Sequence, residues 1–276
     1  MWKSLCVGVA ALLFLPACGL IGEQGDGHKV TVSRDLTGFT RVENHSPLDV
    51  LVREADTGSV NVTLDENLHR YITTRVSGET LVIDNTYNLS FSGEGRVVVL
   101  LPRFLGAMND GSGDLLVESV TQSNALTLEL EGSGDVRYCG PASSLTASLS
   151  GSGDMTLCTP AEQVLESVTL ESDGSGDLTY DGSAKSLESS NDGSGNMSLS
   201  GSAPRFVARV ESSGNIEAQG LTSEQAELDV SGSGNLSATV SESVSVRISG
   251  SGNVDLWGGA TIRDVSLDGS GNLRRH

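Results

Sequence analysis

The sequence predicts an all-β protein, in which a parallel β-solenoid follows an N-terminal β-rich capping lobe. Nine near-copies of Gly-Ser-Gly followed by Asp or Asn recur from residue 111 onwards, at steps of 18 to 23 residues. Alternating apolar and polar residues flank each copy, and the chain is rich in Gly and poor in aromatic residues. So regular a period indicates one short unit stacked on itself, which buries its apolar face only against its neighbours.

Each unit is predicted to be a strand, a Gly-Ser-Gly turn, a second strand and a connection. Apolar residues stand one and three positions after the Asp or Asn, with a mostly polar residue between them, as in Val136, Arg137 and Tyr138. A period of two is typical of a strand with one buried face. The fourth positions of the motif are Asp114, Asp135, Asp154, Asp177, Asn196, Asn215, Asn235, Asn253 and Asn272.

Two architectures fit this alternation, a parallel solenoid and an up-and-down barrel. The solenoid is favoured because identical turns at a constant interval stack naturally, about 4.8 Å apart. The third motif position is Gly in every copy, and we expect a corner with positive φ there. The first position accepts Ser212 and is predicted to be the less constrained glycine.

The chain is predicted to have four parts. Residues 1–17 are a lipoprotein signal peptide, 18–29 a flexible tether, 30–104 the β-rich lobe that covers the first coil, and 105–276 the repeat solenoid. Within the lobe, residues 65–72 could form one or two helical turns with Asp65 as the N-cap.

The N-terminus indicates export and lipidation. Lys3 supplies a basic n-region, and residues 5–15 are apolar but too few to span a bilayer. Leu15-Pro16-Ala17-Cys18 then resembles a lipoprotein signal-peptidase site, with Cys18 as the lipidated residue. The alternative is an ordinary secretory signal that ends near a cysteine. Gly19 is not the Asp that retains many lipoproteins in the inner membrane, which favours the outer membrane.

The charge of the chain argues against nucleic acid as a partner. The formal net charge is −19, and the sequence contains only three lysines. Binding to phosphate backbones needs a basic surface that releases counterions, and no basic cluster occurs here. The acidity is expected to keep a strand-rich surface soluble.

Cys139 and Cys158 each lie four residues after a motif Asp, and so occupy equivalent positions on consecutive coils. Their Cα atoms are expected to lie about 4.8 Å apart, within reach of a disulfide. An exported protein often meets an oxidising compartment, so we predict this disulfide. Two free thiols are the alternative.

The four aspartates at the start of the motif series, Asp114, Asp135, Asp154 and Asp177, could repel one another or share a hard cation such as Ca²⁺. Against calcium, the series becomes Asn from residue 196 onwards, and Asx residues beside Gly also stabilise turns without a metal. We therefore expect turn chemistry, with calcium as the alternative.

No catalytic residue and no cofactor are predicted. Every coil repeats the same Ser, so no single nucleophile is marked by a nearby base, and all four His lie outside the repeat. Stacked acids create many carboxylate pairs by construction, so a glycosidase-like pair is not diagnostic. Trp257 lies on an outward position and could stack on a sugar or cover the last coil.

The order of motifs resembles a known family. Leu48-Asp49-Val50, Asp65-Glu66-Asn67-Leu68, Thr80-Leu81-Val82-Ile83 and Leu100-Leu101-Pro102 lead into the serial Gly-Ser-Gly-Asp/Asn copies. This series is similar to the "head GIN domain" family of putative auto-transporter adhesins, over roughly residues 36–272. The resemblance implies a right-handed parallel β-helical fold and an envelope location, and it supplies no catalytic residues. Because the sequence ends at His276, no C-terminal translocator barrel is expected.

The resulting hypothesis is a non-catalytic cell-envelope protein, anchored in the membrane through lipidated Cys18, whose solenoid surface serves adhesion or scaffolding. Its partner would be a carbohydrate or another envelope protein. The alternative is a β-helical enzyme that acts on cell-surface or extracellular polysaccharide. Arg274 and Arg275 stand in the last coil, and in an isologous dimer they would face and repel their symmetry mates, which favours a monomer.

Overall fold

The computed structural model describes residues 22–91, 93–118 and 120–276. The predicted signal peptide, residues 1–17, and the lipidation site Cys18 lie outside the described residues. Within them, regular structure is β-strand apart from one 3₁₀ helix, Glu66–Tyr71. Asp65 precedes this helix, but its side chain makes no capping hydrogen bond to it. No helix in this part of the chain is long and apolar enough to cross a bilayer.

The strands of the N-terminal part combine parallel and antiparallel pairing. In chain order they are β1 (Glu23–Gln24), β2 (Lys29–Arg34), β3 (Arg41–Asn44), β4 (Asp49–Glu54), β5 (Ser59–Asp65), β6 (Ile72–Ser77), β7 (Thr80–Asn85), β8 (Leu89–Ser90) and β9 (Arg96–Leu101).

The strands of the repeat region pair only in parallel. They are β10 (Gly106–Asn109), β11 (Leu115–Glu118), β12 (Asn124–Leu130), β13 (Val136–Cys139), β14 (Ala142–Leu149), β15 (Met155–Cys158), β16 (Val164–Leu165), β17 (Val168–Ser172), β18 (Leu178–Ala184), β19 (Ser186–Asn191), β20 (Met197–Ser202), β21 (Arg205–Val210), β22 (Ile216–Val230), β23 (Leu236–Ile248), β24 (Val254–Trp257), β25 (Thr261–Leu267) and β26 (Leu273–Arg275).

The register of these strands confirms the solenoid and excludes the barrel. Val136 pairs with Met155 of the next coil, and Met155 pairs in turn with Leu178, always in parallel. Two sheets result: the leading sheet contains the strands before each Gly-Ser-Gly turn, and the trailing sheet contains the strands after it. Strands β22 and β23 bend around the coil and contribute to both sheets.

The core is the stack of inward positions predicted from the alternation. Tyr138, Leu157 and Tyr180 succeed one another on the trailing sheet, and all three are fully buried. Burial raises the pKa of the Tyr138 hydroxyl, which donates a hydrogen bond to the Pro141 carbonyl at 2.6 Å. Apolar residues that cannot be buried within a single coil are thus buried between coils.

Buried asparagines reinforce some of the turns from inside. Asn191 is fully buried, and its Nδ2 donates to the carbonyl of Gly195 at 2.9 Å. Asn44 and Asn109 occupy the equivalent position at the other end of the stack, where they bond to each other at 3.0 Å. The corresponding residue of the intervening coils is Leu130, Leu149 or Ser172, so the sequence pattern did not mark this role.

The N-terminal part does more than cover the first coil. Strands β3 and β4 pair in parallel with β10 and β11, and they therefore form a coil of the solenoid. Strands β7 and β9 pair in parallel with β3 and β4 on the other side. Residues 80–101 thus form the outermost coil, although they follow residues 41–54 in sequence. The solenoid consequently extends into the part that was predicted to be a separate lobe at 30–104.

Antiparallel strands close this end of the stack. Strand β5 pairs with β9 and with β2, and β6 pairs with β7, so that the outermost parallel strands have no free edge. Covering an edge in this way prevents pairing with another chain. The capping function predicted for this region therefore belongs to β2, β5 and β6.

The described part of the predicted flexible tether is also structured. Strand β1 pairs with β8, and the Asn67 side chain holds the end of β1: its Nδ2 donates to the carbonyl of Gln24 at 2.8 Å, and its Oδ1 accepts the backbone N–H of Asp26 at 3.1 Å. The prediction of a free tether to residue 29 is therefore wrong for residues 23–29. The Gly-rich segment lies close to the lobe, since a side chain at Gly25 would overlap that of Asp65.

The motif glycines are required for a different reason from the one expected. Positive φ values occur at Gly38, Gly78 and Gly201, among others, but at none of the third-position motif glycines in the described chain. A Cβ at Gly195 would instead lie less than 3.0 Å from the backbone carbonyl of Gly176 on the preceding coil. Backbone contact between coils excludes any side chain at this corner.

The first motif position proves to be as close-packed as the third. A Cβ at Gly193, for example, would overlap the carbonyl of Gly174. The prediction that the first glycine is less constrained is therefore wrong as a general rule, and Ser212 is a local exception.

The last described coil carries the two arginines considered for the oligomeric state. Arg275 donates from Nη2 to the carbonyl of Ala260 at 3.0 Å, and Arg274 lies 3.9 Å from Asp255. Val265 and Leu267 of β25 are 40% and 50% exposed, because no further coil in the structure covers them. The monomeric state stays a prediction.

Candidate functional site

The motif Asp and Asn residues form a continuous ladder of side-chain to backbone hydrogen bonds. The Oδ1 of Asp135 accepts the backbone N–H of Asp154 at 2.9 Å, and the Oδ1 of Asp154 accepts that of Asp177 at 2.8 Å. The same bond recurs from coil to coil as far as Asn272, whose N–H donates to Asn253. Each Asx side chain therefore fixes the spacing of the next turn.

The ladder begins earlier than the repeat predicts. Asp49 Oδ1 accepts the N–H of Asp114 at 3.1 Å, so Asp49 is the first member, 65 residues ahead in sequence. Sequence reasoning missed it because Ser46-Pro47-Leu48 replaces Gly-Ser-Gly there. The signal that could have found it is the following Val50-Leu51-Val52, which matches the apolar, variable, apolar order after every motif.

The Asn half of the ladder gains a second bond at each step. Asn235 Nδ2 donates to Asn215 Oδ1 at 3.1 Å, and Asn253 Nδ2 donates to Asn235 Oδ1 at 2.9 Å. Carboxylates lack this donor, so stacked Asp residues have one bond per step and like charges on neighbouring coils. The amide ladder offers a structural reason for the change from Asp to Asn.

The geometry gives the four motif aspartates a structural role. Within the described ranges, no three His, Cys, Asp or Glu side chains converge in an arrangement that could hold a metal ion. The Oδ1 atoms of Asp114, Asp135, Asp154 and Asp177 all accept backbone N–H groups of the next coil.

Cys139 and Cys158 are disulfide-bonded in the structure, with their Cα atoms 4.5 Å apart. They are register partners at the ends of β13 and β15, as their equivalent positions after the motif predict. The bond lies on the outward face of the trailing sheet and joins two successive coils.

A groove runs along the trailing sheet near its C-terminal end, and we call it the C-terminal groove. Its volume is about 550 Å³, and half of the residues that line it have neutral polar side chains. Strand β22 creates one wall: its register against β23 shifts between Ala218 and Thr222, so that residues 219–221 form a bulge that has no partner in β23. Gln219 and Gly220 are exposed on this bulge. Its lining includes Ser198, Ser200, Asn215, Glu217, Ser237 and Asp255.

Trp257 borders the C-terminal groove. Its indole stacks on the imidazole of His276 in the next coil, with ring centroids 4.3 Å apart and planes within 10°. Of the two roles considered for Trp257, the structure therefore shows contact with the last coil, and it also places the ring at the groove. His276 is held in turn by Asp255, whose Oδ1 lies 2.9 Å from Nε2.

A second groove, the N-terminal groove, lies on the same sheet and has a volume of about 490 Å³. It brings Arg53, Arg96 and Arg137 to the Asp end of the ladder, whereas no basic cluster was recognised in the sequence. Arg53 is already paired with Glu118, with Nη2 and Oε2 2.9 Å apart. Sequence reasoning missed this grouping because β4 and β9 come from the part thought to lie outside the solenoid.

The family model described as "Putative auto-transporter adhesin, head GIN domain" matches residues 38–165 and 161–260. These matches cover well over half of the sequence. The chain belongs to this family. The family resemblance inferred from the order of the motifs is therefore confirmed.

Solved structures resemble this head GIN protein along almost its whole length. A putative adhesin from Parabacteroides distasonis is 20% identical with a TM-score of 0.67, covering 92% of this chain and 99% of the other. A putative lipid binding protein from the same species is 22% identical with a TM-score of 0.68 and the same coverage. A putative adhesin from Parabacteroides merdae is 18% identical with a TM-score of 0.63, covering 91% and 98%.

At these identities the solved structures establish the fold of this chain and nothing finer. No curated protein matches its sequence. The adhesin name of the family points to a non-catalytic role at the cell surface or envelope.

Proposed function

We propose that this protein is a lipid-anchored, non-catalytic envelope protein that binds neutral carbohydrate in the C-terminal groove. The observation that carries the proposal is the groove itself, an open channel across several coils with an aromatic ring at its border. Sugars are recognised by hydrogen bonds to side chains such as Gln219 and Asn235 and by contact with an aromatic face or edge.

The charge of the protein narrows the class of carbohydrate. A chain with a formal charge of −19 repels polyanions, so an acidic polysaccharide would approach against the field. Half of the residues that line the C-terminal groove are Ser, Thr, Asn or Gln, whose side chains can form hydrogen bonds with neutral hydroxyl groups, and its two charged residues, Glu217 and Asp255, are acidic. Neutral glycans are therefore favoured over acidic ones.

Anchoring is proposed at Cys18, with the outer membrane as the destination. The support is the signal-peptidase-like sequence before Cys18 and the family's adhesin name, which suits the cell surface. Membrane fractionation of the wild type and of Cys18→Ser tests this proposal. We expect the wild type in the outer-membrane fraction with a lipidated N-terminal cysteine by mass spectrometry, and the variant in the soluble fraction.

A glycan array tests the binding proposal, followed by titration of the best neutral oligosaccharide against the fluorescence of Trp257. Gln219→Ala is expected to weaken binding about five- to tenfold, through the loss of one hydrogen bond. Gln225→Ala is the matched control, because Gln225 is equally exposed on the same strand but lies on the leading sheet. Equal affinities of the two variants would place the ligand elsewhere.

The same titration addresses the enzyme alternative. The N-terminal groove combines arginines with carboxylates, as polysaccharide-cleaving sites do. Its ladder aspartates, however, have structural counterparts in Asn196 and Asn215, which cannot transfer a proton. Release of shorter fragments from the bound oligosaccharide, measured by mass spectrometry, would support the enzyme and contradict the non-catalytic proposal.

A further inference from the structure

The point where the chain joins the folded body is fixed rather than loose. Glu23 N–H donates to the Asn88 carbonyl at 2.9 Å, and Gly25 N–H donates to the Ser90 carbonyl at 2.7 Å. These bonds attach β1 to β8, in the loop that joins the two strands of the outermost N-terminal coil. Any anchor at residue 18 therefore acts on this end of the solenoid.

An aromatic cluster lies beside this attachment. The ring centroids of Tyr71 and Tyr87 are 5.5 Å apart, and the guanidinium of Arg70 lies 4.7 Å above the ring of Tyr71. The hydroxyl of Tyr71 donates to Glu23 Oε1 at 2.8 Å, so the cluster contacts β1 directly. This hydrogen bond with Glu23 is the main reason that the pKa of Tyr71 is raised.

Tyr87 is exposed to an unusual extent for a large aromatic residue. Its relative accessibility is 53%, whereas the other aromatic side chains of the described residues are buried or half-buried. Tyrosine combines an apolar ring with a polar hydroxyl, and such side chains are enriched at the headgroup level of membranes. Arg70 adds a guanidinium that can bind phosphate groups while it stays over the ring of Tyr71.

The length of chain between Cys18 and β1 indicates what this aromatic cluster contacts. Five peptide units separate Cys18 from Glu23, and they span at most about 18 Å when fully extended. A lipidated Cys18 would therefore hold the cluster close to the headgroups. We propose that Arg70, Tyr71 and Tyr87 form the membrane-contacting surface of the protein, so that the N-terminal coils face the bilayer and the C-terminal groove projects away from it.

This inference rests on the proposed lipidation of Cys18, but it adds an orientation that anchoring alone does not require. Coils stack at about 4.8 Å, so the nine steps from the outermost coil to that of Trp257 place the C-terminal groove roughly 40 Å further out. A protein bound only by a flexible tether would have no preferred end toward the lipid.

Tryptophan quenching by brominated lipid tests the orientation in the full-length, lipidated protein. The carriers are vesicles of phosphatidylcholine with and without acyl-chain bromination. Tyr87→Trp and Val164→Trp are each made in a Trp257→Phe background. In the protein without these substitutions, the fluorescence of Trp257 is measured. Val164 is the matched control, since it is an exposed apolar residue, 59% accessible, in the middle of the solenoid.

We expect bromination to reduce the fluorescence of the Tyr87→Trp protein roughly twofold, as for aromatic side chains at the interface, and to leave the other two proteins unchanged. Asn88→Trp serves as a second probe if Tyr87→Trp fails to fold. Quenching at neither position 87 nor 88, in protein that sediments with the vesicles, would overturn the orientation and leave anchoring intact. Protein without a lipid on Cys18, which does not sediment, would overturn both.

Discussion

Replacing Asp135 by asparagine should stabilise the solenoid. Asp135 lies in the ladder between Asp114 and Asp154, so that its carboxylate has a like-charged neighbour on each side. Its Oδ1 accepts the Asp154 N–H at 2.9 Å, a bond that an amide oxygen can also accept. Asparagine adds an Nδ2–H donor, and the pair of Asn196 with Asp177, 3.2 Å apart, shows that the ladder geometry accommodates it.

The expected gain follows from the spacing of the coils. Adjacent coils are 4.5 Å apart at the Cα atoms of Cys139 and Cys158, in the same pair of coils as Asp135 and Asp154. Two unit charges at this distance repel by about 0.9 kcal/mol at the dielectric constant of water, and physiological salt reduces this to about 0.5 kcal/mol.

Removing the charge relieves repulsion from two neighbours, about 1 kcal/mol in total. The added amide bond contributes about 0.5 kcal/mol, and the loss of a charge-assisted acceptor costs about as much. The free energy of unfolding should therefore rise by about 1 kcal/mol, which corresponds to a Tm increase of about 2 to 4 °C in a chain of this size.

Thermal and urea unfolding, followed by circular dichroism, measures the change at low and high salt. The gain should increase in low salt and nearly disappear in about 1 M salt, where the Debye length is about 3 Å. Asn235→Asp is the mirror control: its ladder neighbours Asn215 and Asn253 are uncharged, so its effect should stay within about 0.5 kcal/mol and be independent of salt.

A clear loss of stability in Asp135→Asn would refute the reasoning. If that loss appeared only when millimolar Ca²⁺ was present, the carboxylates would be binding a cation, and the calcium alternative would replace turn chemistry. A gain that did not depend on salt would assign the effect to hydrogen bonding rather than to repulsion.

Three further predictions concern other residues of the repeat region. Gly195→Ala should lower the free energy of unfolding by about 2 to 4 kcal/mol, because its Cβ would overlap a backbone carbonyl. Gly259→Ala is the control and should have little effect, since the nearest atom to its Cβ is 4.0 Å away. Equal losses of stability in the two variants, measured by urea unfolding, would contradict the overlap. Cys139→Ser should cost about 3 kcal/mol for a loop of 19 residues, and reductant should destabilise the wild type equally; insensitivity to reductant, together with free thiols in peptide mapping, would show that the bond does not form. Burial raises the pKa of Asp192 above its ordinary 3.8, and the charges of Glu211, Asp173 and Glu171 raise it further. The native state therefore binds a proton at Asp192 more readily than the unfolded state does. This group consequently lowers the stability of the protein as the pH rises through its folded pKa. Asp192→Asn should thus stabilise the protein at neutral pH but not below the ordinary pKa, and an unchanged pH profile of Tm would contradict it.

The repeat made much of the fold predictable from sequence. An interval near 19 residues, with apolar residues at fixed places after each Asp or Asn, is enough to predict parallel coils, and their inward residues are buried as expected. The positions of Cys139 and Cys158 followed from the same arithmetic, since residues at equal distances from the motif become neighbours when coils stack.

Contacts that do not follow the repeat could not be predicted from its interval. Asp49 joins the ladder through Asp114, which is 65 residues away, and the outermost coil comes from residues 80–101, after the coil on which it stacks. The local sequence pattern does not encode the order of the coils, because a strand with one buried face has the same alternation of apolar and polar residues wherever it is inserted in the stack.

The residues of the candidate sites were likewise predictable from the sequence only in part. The sequence by itself determined the ladder, its change from Asp to Asn and the outward place of Trp257, because all of these depend on position within one repeat. Only the tertiary structure decided the reason for the motif glycines, which is the closeness of backbones in adjacent coils. It alone also decided the C-terminal groove, whose wall at Gln219 and Gly220 lies where the register between β22 and β23 shifts, because such a shift is a mismatch between two coils that neither coil's sequence contains.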